Sequence, residues 1–169
     1  VDINSVLGGA ADLLAYQMRV SDVKLVLDLK PSLPHAHGDQ QELTQVFVNL
    51  INNGLQALIN SQRAGTVHVT SELRSDQVRV TIRDDGPGIS PEKAERIFQP
   101  FYTTKDQGTG LGLSVSWGII HEHGGSLELD QTEEQPGADL IARTVLPYSE
   151  HREATDRRPT GETSATCRR

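Results

Sequence analysis

The chain has 169 residues, of which 36% are hydrophobic and 23% are charged, and its formal net charge is −7. This length suits one folded domain with a core and some tail, while the acidic balance argues against a protein that binds nucleic acid through its phosphates. No apolar run is long enough to span a membrane and no signal peptide opens the sequence, so we expect a domain without membrane contact. The single cysteine, Cys167, excludes an intramolecular disulfide. It fits a cytoplasmic location, which is compatible with a membrane anchor elsewhere in a longer parent protein.

The first part of the sequence predicts a helix followed by a strand. Apolar residues recur at near-helical spacing over residues 2–19, with Asn4 as the candidate N-cap. Residues 23–29 then alternate between apolar and polar types, which is typical of a half-buried strand. His35 and His37 stand two apart in the stretch that follows. Because no cysteine or acidic cluster accompanies them, we interpret them as part of a solvated turn rather than as metal ligands.

Residues 39–59 give the strongest helix signal in the sequence. Asp39 and Glu42, three residues apart, predict a capping box at its start. Beside the apolar face runs a ridge of amide side chains spaced four residues apart, so that they project from one side of the helix. The ridge consists of Gln45, Asn49 and Asn53, with Gln56 next to it. Taken alone, this helix fits a polar surface flank and a ligand-binding ridge equally well.

A β-hairpin is predicted next. Residues 66–73 and 77–84 both alternate between apolar and polar types, and residues 74–76 form the predicted turn. Asp84 therefore stands at or near the end of a strand, where it would point into a pocket. A buried carboxylate costs several kcal/mol unless it is paired, so burial of Asp84 would indicate a purpose. We expect the neighbouring Asp85 to be more exposed.

Two glycine-rich turns flank an aromatic and basic segment: D-D-G-P-G-I at residues 84–89 and G-T-G-L-G-L at residues 108–113. Glycine supplies positive φ, and consecutive free N–H groups form anion-binding concavities. The second turn runs into a helix predicted over residues 113–123, whose N-terminal N–H groups would favour a phosphate. Neither turn completes G-x-G-x-x-G, and G-x-x-x-x-G-K-[ST] is absent. Either turn by itself fits an ordinary surface turn better.

The helix over residues 113–123 contains one glycine and ends near two histidines. Gly118 inside a helix costs about 1 kcal/mol relative to alanine, which indicates close packing against it. We interpret His121 and His123 as surface residues that the C-terminal end of the helix dipole favours, rather than as catalytic groups.

The remaining elements complete an α/β two-layer sandwich, in which helices cover one face of a mixed sheet. A short helix is predicted over residues 91–97, and strands are predicted over residues 126–130 and 140–146. Residues 1–147 would form the domain. Residues 148–169 are polar and carry interleaved charges, so we expect a disordered tail or linker.

Together and in this order, the motifs resemble those of the ATP-binding domain of sensor histidine kinases, most of all the nitrogen-regulation type. That domain is part of the wider gyrase, chaperone and MutL group of ATPases, which share the Bergerat fold. The helical segment Q-V-F-V-N-L-I-N-N-G-L-Q-A-L resembles the asparagine box, and residues 84–89 resemble the first glycine box. Residues 97–105 resemble the phenylalanine box with its T-T-K tail, and residues 108–113 the second glycine box. The likeness extends over about residues 2–147.

The resemblance implies that the domain binds ATP together with Mg²⁺. It assigns Asn53 as a ligand of the Mg²⁺ that bridges the phosphates, a role that suits a hard, neutral amide oxygen. It assigns Asp84 as the acceptor of a hydrogen bond from the adenine amino group. Asn49 stands where the hydrolytic relatives carry a glutamate that activates water, and an amide cannot act as a general base. The sequence thus favours phosphoryl transfer over hydrolysis. Two residues depart from the pattern: Gln56 stands where many of these kinases carry lysine, and Gly54 where alanine is usual.

The implied nucleotide site draws on all four boxes. Its residues are Asn49, Asn53, Asp84, Gly86, Gly88, Ile89, Thr104, Lys105, Gly108, Thr109, Gly110, Leu111, Gly112 and Leu113. Among the cations that could reach the phosphates, Lys105 is the stronger candidate and Arg96 the weaker. We expect residues 99–108 to form a lid over the nucleotide. Phe98, Phe101 and Tyr102 are either core aromatics or part of the segment that opens this lid.

The implied function is that of the catalytic domain of a two-component sensor histidine kinase, which donates the ATP γ-phosphoryl group to a histidine on a dimerisation domain of the same protein. The phosphoryl group then passes to an aspartate of a response-regulator receiver domain. None of the six histidines sits in the acceptor context, so this fragment would hold no catalytic residue, and residues 1–20 would include the helix that leads in from the dimerisation domain.

Two alternatives stay open at this point. One is a stand-alone serine kinase of the anti-sigma type, and the other is a nucleotide-binding regulatory module without transfer activity. The T-T-K tail and the N-terminal helix favour the sensor kinase.

Overall fold

A computed structural model describes residues 1–62, 64–90, 92, 96–101, 110–131 and 140–147, with the backbone alone at 130, 131 and 140–143. The elements in chain order are α1 (Ile3–Val20), β1 (Val23–Leu29), α2 (Gln40–Asn60), β2 (Gly65–Arg74), β3 (Gln77–Asp84), α3 (Gly112–Glu122), β4 (Ser126–Gln131) and β5 (Leu140–Pro147). The eight corresponding sequence predictions are confirmed to within one residue at each end. The short helix predicted over residues 91–97 lies largely outside the described residues, and the tail predicted over residues 148–169 lies wholly outside them.

The strands form one mixed sheet in the order β1-β2-β3-β5-β4. β1 pairs with β2 in parallel, and the other three pairings are antiparallel. The β2–β3 hairpin turns through Ser75 and Asp76, which both have positive φ, at 48° and 59°. Two successive positive φ values are typical of a type I′ turn, whose twist matches that of the flanking strands. The register then brings Asp84, the last residue of β3, opposite Val67 of β2.

The helices lie on one face of this sheet, as predicted. Alternate residues of β2 and β3 are buried on that face, among them Val67, Val69, Val80 and Ile82, and they share one core with the apolar faces of α1 and α2. The residues between them, such as Thr70 and Thr81, are only half-buried and pair across the opposite face. Such alternation is what a sheet covered on one side requires.

Asp2, rather than the predicted Asn4, caps α1. The Asp2 carboxylate accepts the N–H groups of Asn4 at 2.9 Å and Ser5 at 3.3 Å, and the hydrogen bond from the Ser5 hydroxyl lowers the pKa of Asp2. Asn4 instead ties the helix to the sheet. Its Nδ2 donates to the Lys30 carbonyl oxygen and its Oδ1 accepts the Ser71 hydroxyl, both at 2.8 Å.

Asp39 caps α2 as predicted, but its own N–H donates to a residue just beyond the end of α3 instead of to the side chain that would complete a capping box. Asp39 Oδ1 accepts the N–H groups of Gln41 and Glu42 at 2.8 and 2.9 Å. The Asp39 N–H, which a capping box would give to the Glu42 side chain, donates to His123 Nε2 at 2.9 Å. Because Nε2 accepts, the His123 proton is on Nδ1, which donates to the Ile119 carbonyl oxygen at 2.7 Å. The His123 side chain is 8% exposed, so the predicted surface position of His123 is wrong.

Two residues of α3, His121 and Gly118, were the subject of predictions; the first is confirmed and the second is wrong. His121 is exposed and stacks on Trp117 with 5.1 Å between the ring centroids, as a surface residue would. A Cβ on Gly118 would meet nothing within 4 Å among the described residues. Close packing therefore does not account for Gly118, and nothing in the described part of the chain explains it.

The connection between β1 and α2 is solvated, as predicted. His35 and His37 are both exposed, and the His37 N–H donates to the Pro147 carbonyl oxygen at 3.0 Å, which joins this connection to the end of β5. Across the ranges that the structure describes, no helix combines the length and the apolar character needed to cross a membrane.

Replacing Asp39 by alanine should lower the free energy of unfolding by about 1 kcal/mol, because the oxygen that accepts two N–H groups of α2 is lost. Asp39→Ser keeps a capping oxygen and should stay within roughly 0.5 kcal/mol of the parent. Urea unfolding followed by circular dichroism measures both variants. Equal stability of the two would contradict the capping role of this side chain.

Candidate functional site

Asp84 ends β3 with its side chain in the interior, where the residue is 3% exposed. Two glycines make room for the carboxylate. A Cβ on Gly54 of α2 would lie 3.2 Å from Asp84 Cβ, and a Cβ on Gly86 would lie 2.4 Å from Asp84 Oδ1. The Gly86 N–H donates to this same oxygen at 2.9 Å. The predicted inward position of Asp84 is confirmed, and the departure at Gly54 has a steric reason, since it lets the end of β3 lie close to α2.

Asp85 points the other way. It is exposed, its Oδ2 accepts the Thr66 N–H at 3.0 Å, and its own N–H donates to the Thr66 carbonyl oxygen at 3.3 Å. The predicted exposure of Asp85 is confirmed. Asp85 thus bonds across the open end of the β2–β3 hairpin, whereas the Asp84 carboxylate faces the interior.

The amide ridge runs along α2 from Asp84 towards the start of α3. Asn49 and Asn53 are half-buried and one turn apart. Gly54, which lies next to Asp84, follows Asn53 directly, and the five steps from Asn49 to Gly54 span about 7.5 Å along the helix axis. Asn53 therefore lies, along the helix axis, between the buried carboxylate and Asn49.

Asn49 meets the first turns of α3. A Cβ on Gly112 would lie 3.9 Å from Asn49 Cγ, and Asn49 Nδ2 donates to Ser116 Oγ at 3.4 Å. Ser116 is fully buried. Ser116 is a site residue that was not predicted from the sequence, although a serine within an apolar stretch of helix is a signal that a polar partner lies nearby. The nitrogen of the Asn49 amide therefore faces Ser116.

Both glycine boxes hold a residue with positive φ, as predicted: Gly88 at 67° and Gly110 at 68°. A Cβ on Gly110 would lie 2.5 Å from the carbonyl carbon of Phe101, and the Phe101 N–H donates to the Gly110 carbonyl oxygen at 3.0 Å. This backbone contact joins the phenylalanine box to the second glycine box. Phe101 is 76% exposed and has a positive φ of 65°, so its interpretation as a core aromatic is wrong, and its backbone is strained for a bulky residue.

α3 begins without a side-chain cap. Its N-cap residue is Leu111, and no side chain there accepts the first N–H groups of the helix. Such orphan N–H groups, together with the helix dipole, favour an anion. Leu111 and Leu113, like Ile89 after the first glycine box, are half-buried. Arg96, the weaker of the two candidate cations, is exposed.

Four predicted site residues lie outside the described residues: Thr104, Lys105, Gly108 and Thr109. Most of the predicted lid over residues 99–108 lies outside them as well. Within the ranges that are described, no group of three or more His, Cys, Asp or Glu side chains could hold a metal ion. The donors that the site does offer are amide oxygens on α2, and these fit Mg²⁺ that arrives with phosphates, because Mg²⁺ takes few protein ligands and completes its octahedron with phosphate oxygens and water.

Comparison with known proteins gives a family match over most of the domain. Residues 38–150 match the family described as histidine kinase-, DNA gyrase B-, and HSP90-like ATPase. Sporulation kinase E of Bacillus subtilis is 34% identical over 152 residues, which are 89% of this chain and 20% of that kinase. Sensor histidine kinase ZraS of Salmonella typhimurium is 35% identical over 134 residues, which are 79% of this chain and 28% of ZraS. The chain thus spans less than a third of the length of these two relatives.

Solved structures of histidine kinases share the fold. The catalytic domain of histidine kinase ThkA matches with a TM-score of 0.77 at 29% identity, over 89% of this chain and 95% of that one. ThkA in complex with the response regulator protein TrrA matches with a TM-score of 0.72 at 26% identity, over 89% of this chain and 42% of that one. The five-stranded sheet and its helices are therefore those of a known catalytic domain.

Gly86→Ala tests whether glycine is needed beside Asp84. The new methyl group would lie 2.4 Å from Asp84 Oδ1, so the carboxylate or the chain must shift, and we expect a loss of about 1–3 kcal/mol in the free energy of unfolding. Gly118→Ala is the matched control, because a methyl group there meets nothing among the described residues and should raise stability by about 1 kcal/mol. Thermal and urea unfolding measure both, and similar effects of the two substitutions would contradict the steric role of Gly86.

Proposed function

This chain belongs to the histidine kinase-, DNA gyrase B-, and HSP90-like ATPase family as a histidine kinase catalytic domain, and from that premise we propose that it binds ATP with Mg²⁺ and donates the γ-phosphoryl group to a histidine on a dimerisation domain of the same protein. A receiver domain of a response regulator would then take the phosphoryl group onto an aspartate. The observation that carries the proposal is the buried carboxylate of Asp84, enclosed by Gly54 and Gly86.

The Asp84 carboxylate supports recognition of adenine. A buried acceptor favours a ligand that donates to it, and the exocyclic amino group of adenine is such a donor. Guanine carries a carbonyl oxygen at the same ring position, so that two acceptors would face each other with no proton between them. Asp84 would therefore select ATP over GTP. The Gly86 N–H donates to Asp84 Oδ1 at 2.9 Å, which helps to orient the carboxylate to which the amino group would donate.

The start of α3 supports a phosphate site. The uncapped N-terminal N–H groups after Leu111 favour an anion. A Cβ on Gly112 would have only Asn49 within 4 Å among the described residues, so this glycine lets a ligand approach the backbone. Thr104, Lys105, Gly108 and Thr109 precede this turn in sequence and would add further donors and a cation. Lys105 would offset part of the phosphate charge in a domain whose net charge is negative.

Mg²⁺ that binds together with the nucleotide would neutralise part of the phosphate charge. Asn53 would hold the metal through its amide oxygen, a neutral ligand of the hardness that Mg²⁺ prefers. Asn49, turned by its hydrogen bond to Ser116, would present its oxygen to the same side. Neither amide can remove a proton from water, which supports transfer to another group over hydrolysis. Catalysis would then rest on positioning and charge neutralisation.

The two histidines at the end of α3 are engaged within the fold, which supports an acceptor on a different domain. His123 uses both ring nitrogens, and His121 stacks on Trp117. The relatives are named as sensor or sporulation kinases, which favours histidine transfer over the serine-kinase and regulatory-module alternatives. ThkA was solved in complex with a response regulator, and we extend that type of partner to this chain. ATP and receiver domains meet in the cytoplasm, where we place the domain.

Asp84→Asn should reduce the affinity for ATP by roughly tenfold to a hundredfold, because a hydrogen bond to a charged group contributes about 1.5–3 kcal/mol. Isothermal titration calorimetry with Mg²⁺ measures the change. Asp85→Asn is the matched control, since Asp85 is exposed and faces the hairpin edge; its affinity should equal that of the parent. Thermal melts distinguish lost binding from lost folding. Unchanged affinity in Asp84→Asn would remove the basis of the proposal.

Given radiolabelled ATP and Mg²⁺, this chain alone should bind nucleotide without labelling itself and should hydrolyse ATP very slowly. Adding the dimerisation domain of the parent protein should produce an acid-labile, base-stable phosphohistidine. The yield between separate polypeptides should be low, because effective concentration falls when the connection is cut.

Two outcomes of that experiment would overturn the proposed transfer. Acid-stable label on a serine of a partner would identify a serine kinase. ATP binding without any transfer to the covalently linked dimerisation domain would identify a regulatory module.

A further inference from the structure

α1 carries a second apolar stripe on the side that the core does not use. Leu13, Tyr16 and Val20 are 68%, 70% and 66% exposed, whereas the core face of the same helix is buried through Leu7, Ala10, Leu14, Met18 and their neighbours. Single exposed apolar residues are ordinary, but a contiguous apolar surface marks an interaction site. The three side chains form such a surface because residues three and four apart share one side of a helix.

The spacing of the stripe is that of a coiled-coil seam. Gly9, Leu13, Tyr16 and Val20 follow one another at intervals of four, three and four residues, which is the alternation of d and a positions in a heptad repeat. Gly9 is exposed, and a Cβ there would meet nothing within 4 Å among the described residues. The seam therefore has one recess followed by three large apolar side chains. It fits one partner helix that lies along α1.

The small and large side chains along the seam complement those of a second copy when the two helices run antiparallel. A two-fold axis that passes between Leu14 and Ala15 places Leu13 of one copy opposite Tyr16 of the other. The same axis places Val20 opposite Gly9, so that the bulky side chain fills the recess. Two-fold pairing uses the same patch on both copies, which makes each of these layers occur twice. A parallel pairing would instead set glycine against glycine and leave a gap.

The charges beside the seam match the same arrangement. Asp12 and Arg19 are exposed, and each directly precedes a seam residue, Leu13 or Val20, which makes both of them g positions. In an antiparallel pair the g positions of the two helices face each other, and this two-fold axis brings Asp12 of each copy to Arg19 of the other. Such exposed ion pairs contribute little energy, but opposite charges fix orientation and like charges disfavour the wrong one.

We propose that this stripe is a self-association surface, on which α1 packs antiparallel against α1 of a second copy of the chain. The site uses neither nucleotide nor any residue of the ATP site, so it stands apart from the proposed function. Its few side-chain layers bury less than the about 800 Å² per partner of a standard interface. Isolated chains therefore associate weakly, whereas two chains held in one assembly, at an effective concentration on the order of millimolar, pair through it.

The test is a charge-reversal experiment on the whole chain, in a Cys167→Ser background that prevents disulfide dimers. Asp12→Arg and Arg19→Asp are made singly and together, and sedimentation equilibrium at low salt follows association from micromolar to millimolar concentration. Each single reversal should raise the dissociation constant on the order of tenfold, because two ion pairs become repulsions. The double reversal restores both pairs and should regain the parent value. An equimolar mixture of the two single variants should also associate, since each supplies the charges that the other needs.

Tyr16→Ser, which removes the central seam side chain, should abolish association, and Asp28→Asn on β1 is a control that should leave it unchanged. Melting temperature and ATP affinity should be those of the parent in the charge variants. Parent chain that stays monomeric at millimolar concentration would overturn the proposal, as would a mixture of single variants that associates no better than either alone. Protection of α1 from hydrogen exchange by the dimerisation domain, with the chain itself monomeric, would likewise overturn it and identify a different occupant.

Discussion

The buried carboxylate of Asp84 is the constraint on which the rest of the site depends. A carboxylate removed from water costs several kcal/mol unless it is hydrogen-bonded, and here the Gly86 N–H bonds one of its oxygens at 2.9 Å. Two positions without a Cβ make room for it. Gly54 lets the end of β3 lie close to α2, and at Gly86 a Cβ would clash with the Asp84 carboxylate. The fold thus holds a carboxylate acceptor in its interior, which is the observation on which the proposed recognition of adenine rests.

α2 is the element that turns this single acceptor into a longer site. Its amides continue from the carboxylate towards α3, and two hydrogen bonds join α3 to α2. Asn49 bonds Ser116 in the middle of α3, and Asp39 bonds His123 just beyond its end. These two contacts join residues 67 and 84 positions apart in sequence, and together they hold α3 beside the ridge. A phosphate bound at the uncapped start of α3 would lie at a defined distance from a base that rests on Asp84.

Local patterns were enough to predict much of this arrangement. The helices and strands follow from periodicity, and the inward position of Asp84 follows from its place at the end of an alternating strand. What could not be predicted depends on contacts between distant residues. Asn4 has the side chain of a helix cap, but Ser71 and Lys30 use it. His123 has the sequence environment of an exposed helix end, yet its side chain is buried, and it accepts the N–H of Asp39, the residue that caps α2. Ser116 is a small polar residue in an apolar run, and only the packing of α3 on α2 gives it a partner.

The role of Asp84 is tested most directly by changing the ligand rather than the protein. Calorimetry with Mg²⁺ would compare ATP with the triphosphate of unsubstituted purine, which keeps the ring and the phosphates but lacks the amino group. We expect the purine nucleotide to bind roughly tenfold to a hundredfold more weakly, because the buried carboxylate loses a donor worth about 1.5–3 kcal/mol. Equal affinities for the two nucleotides would contradict the proposed hydrogen bond from the adenine amino group to Asp84.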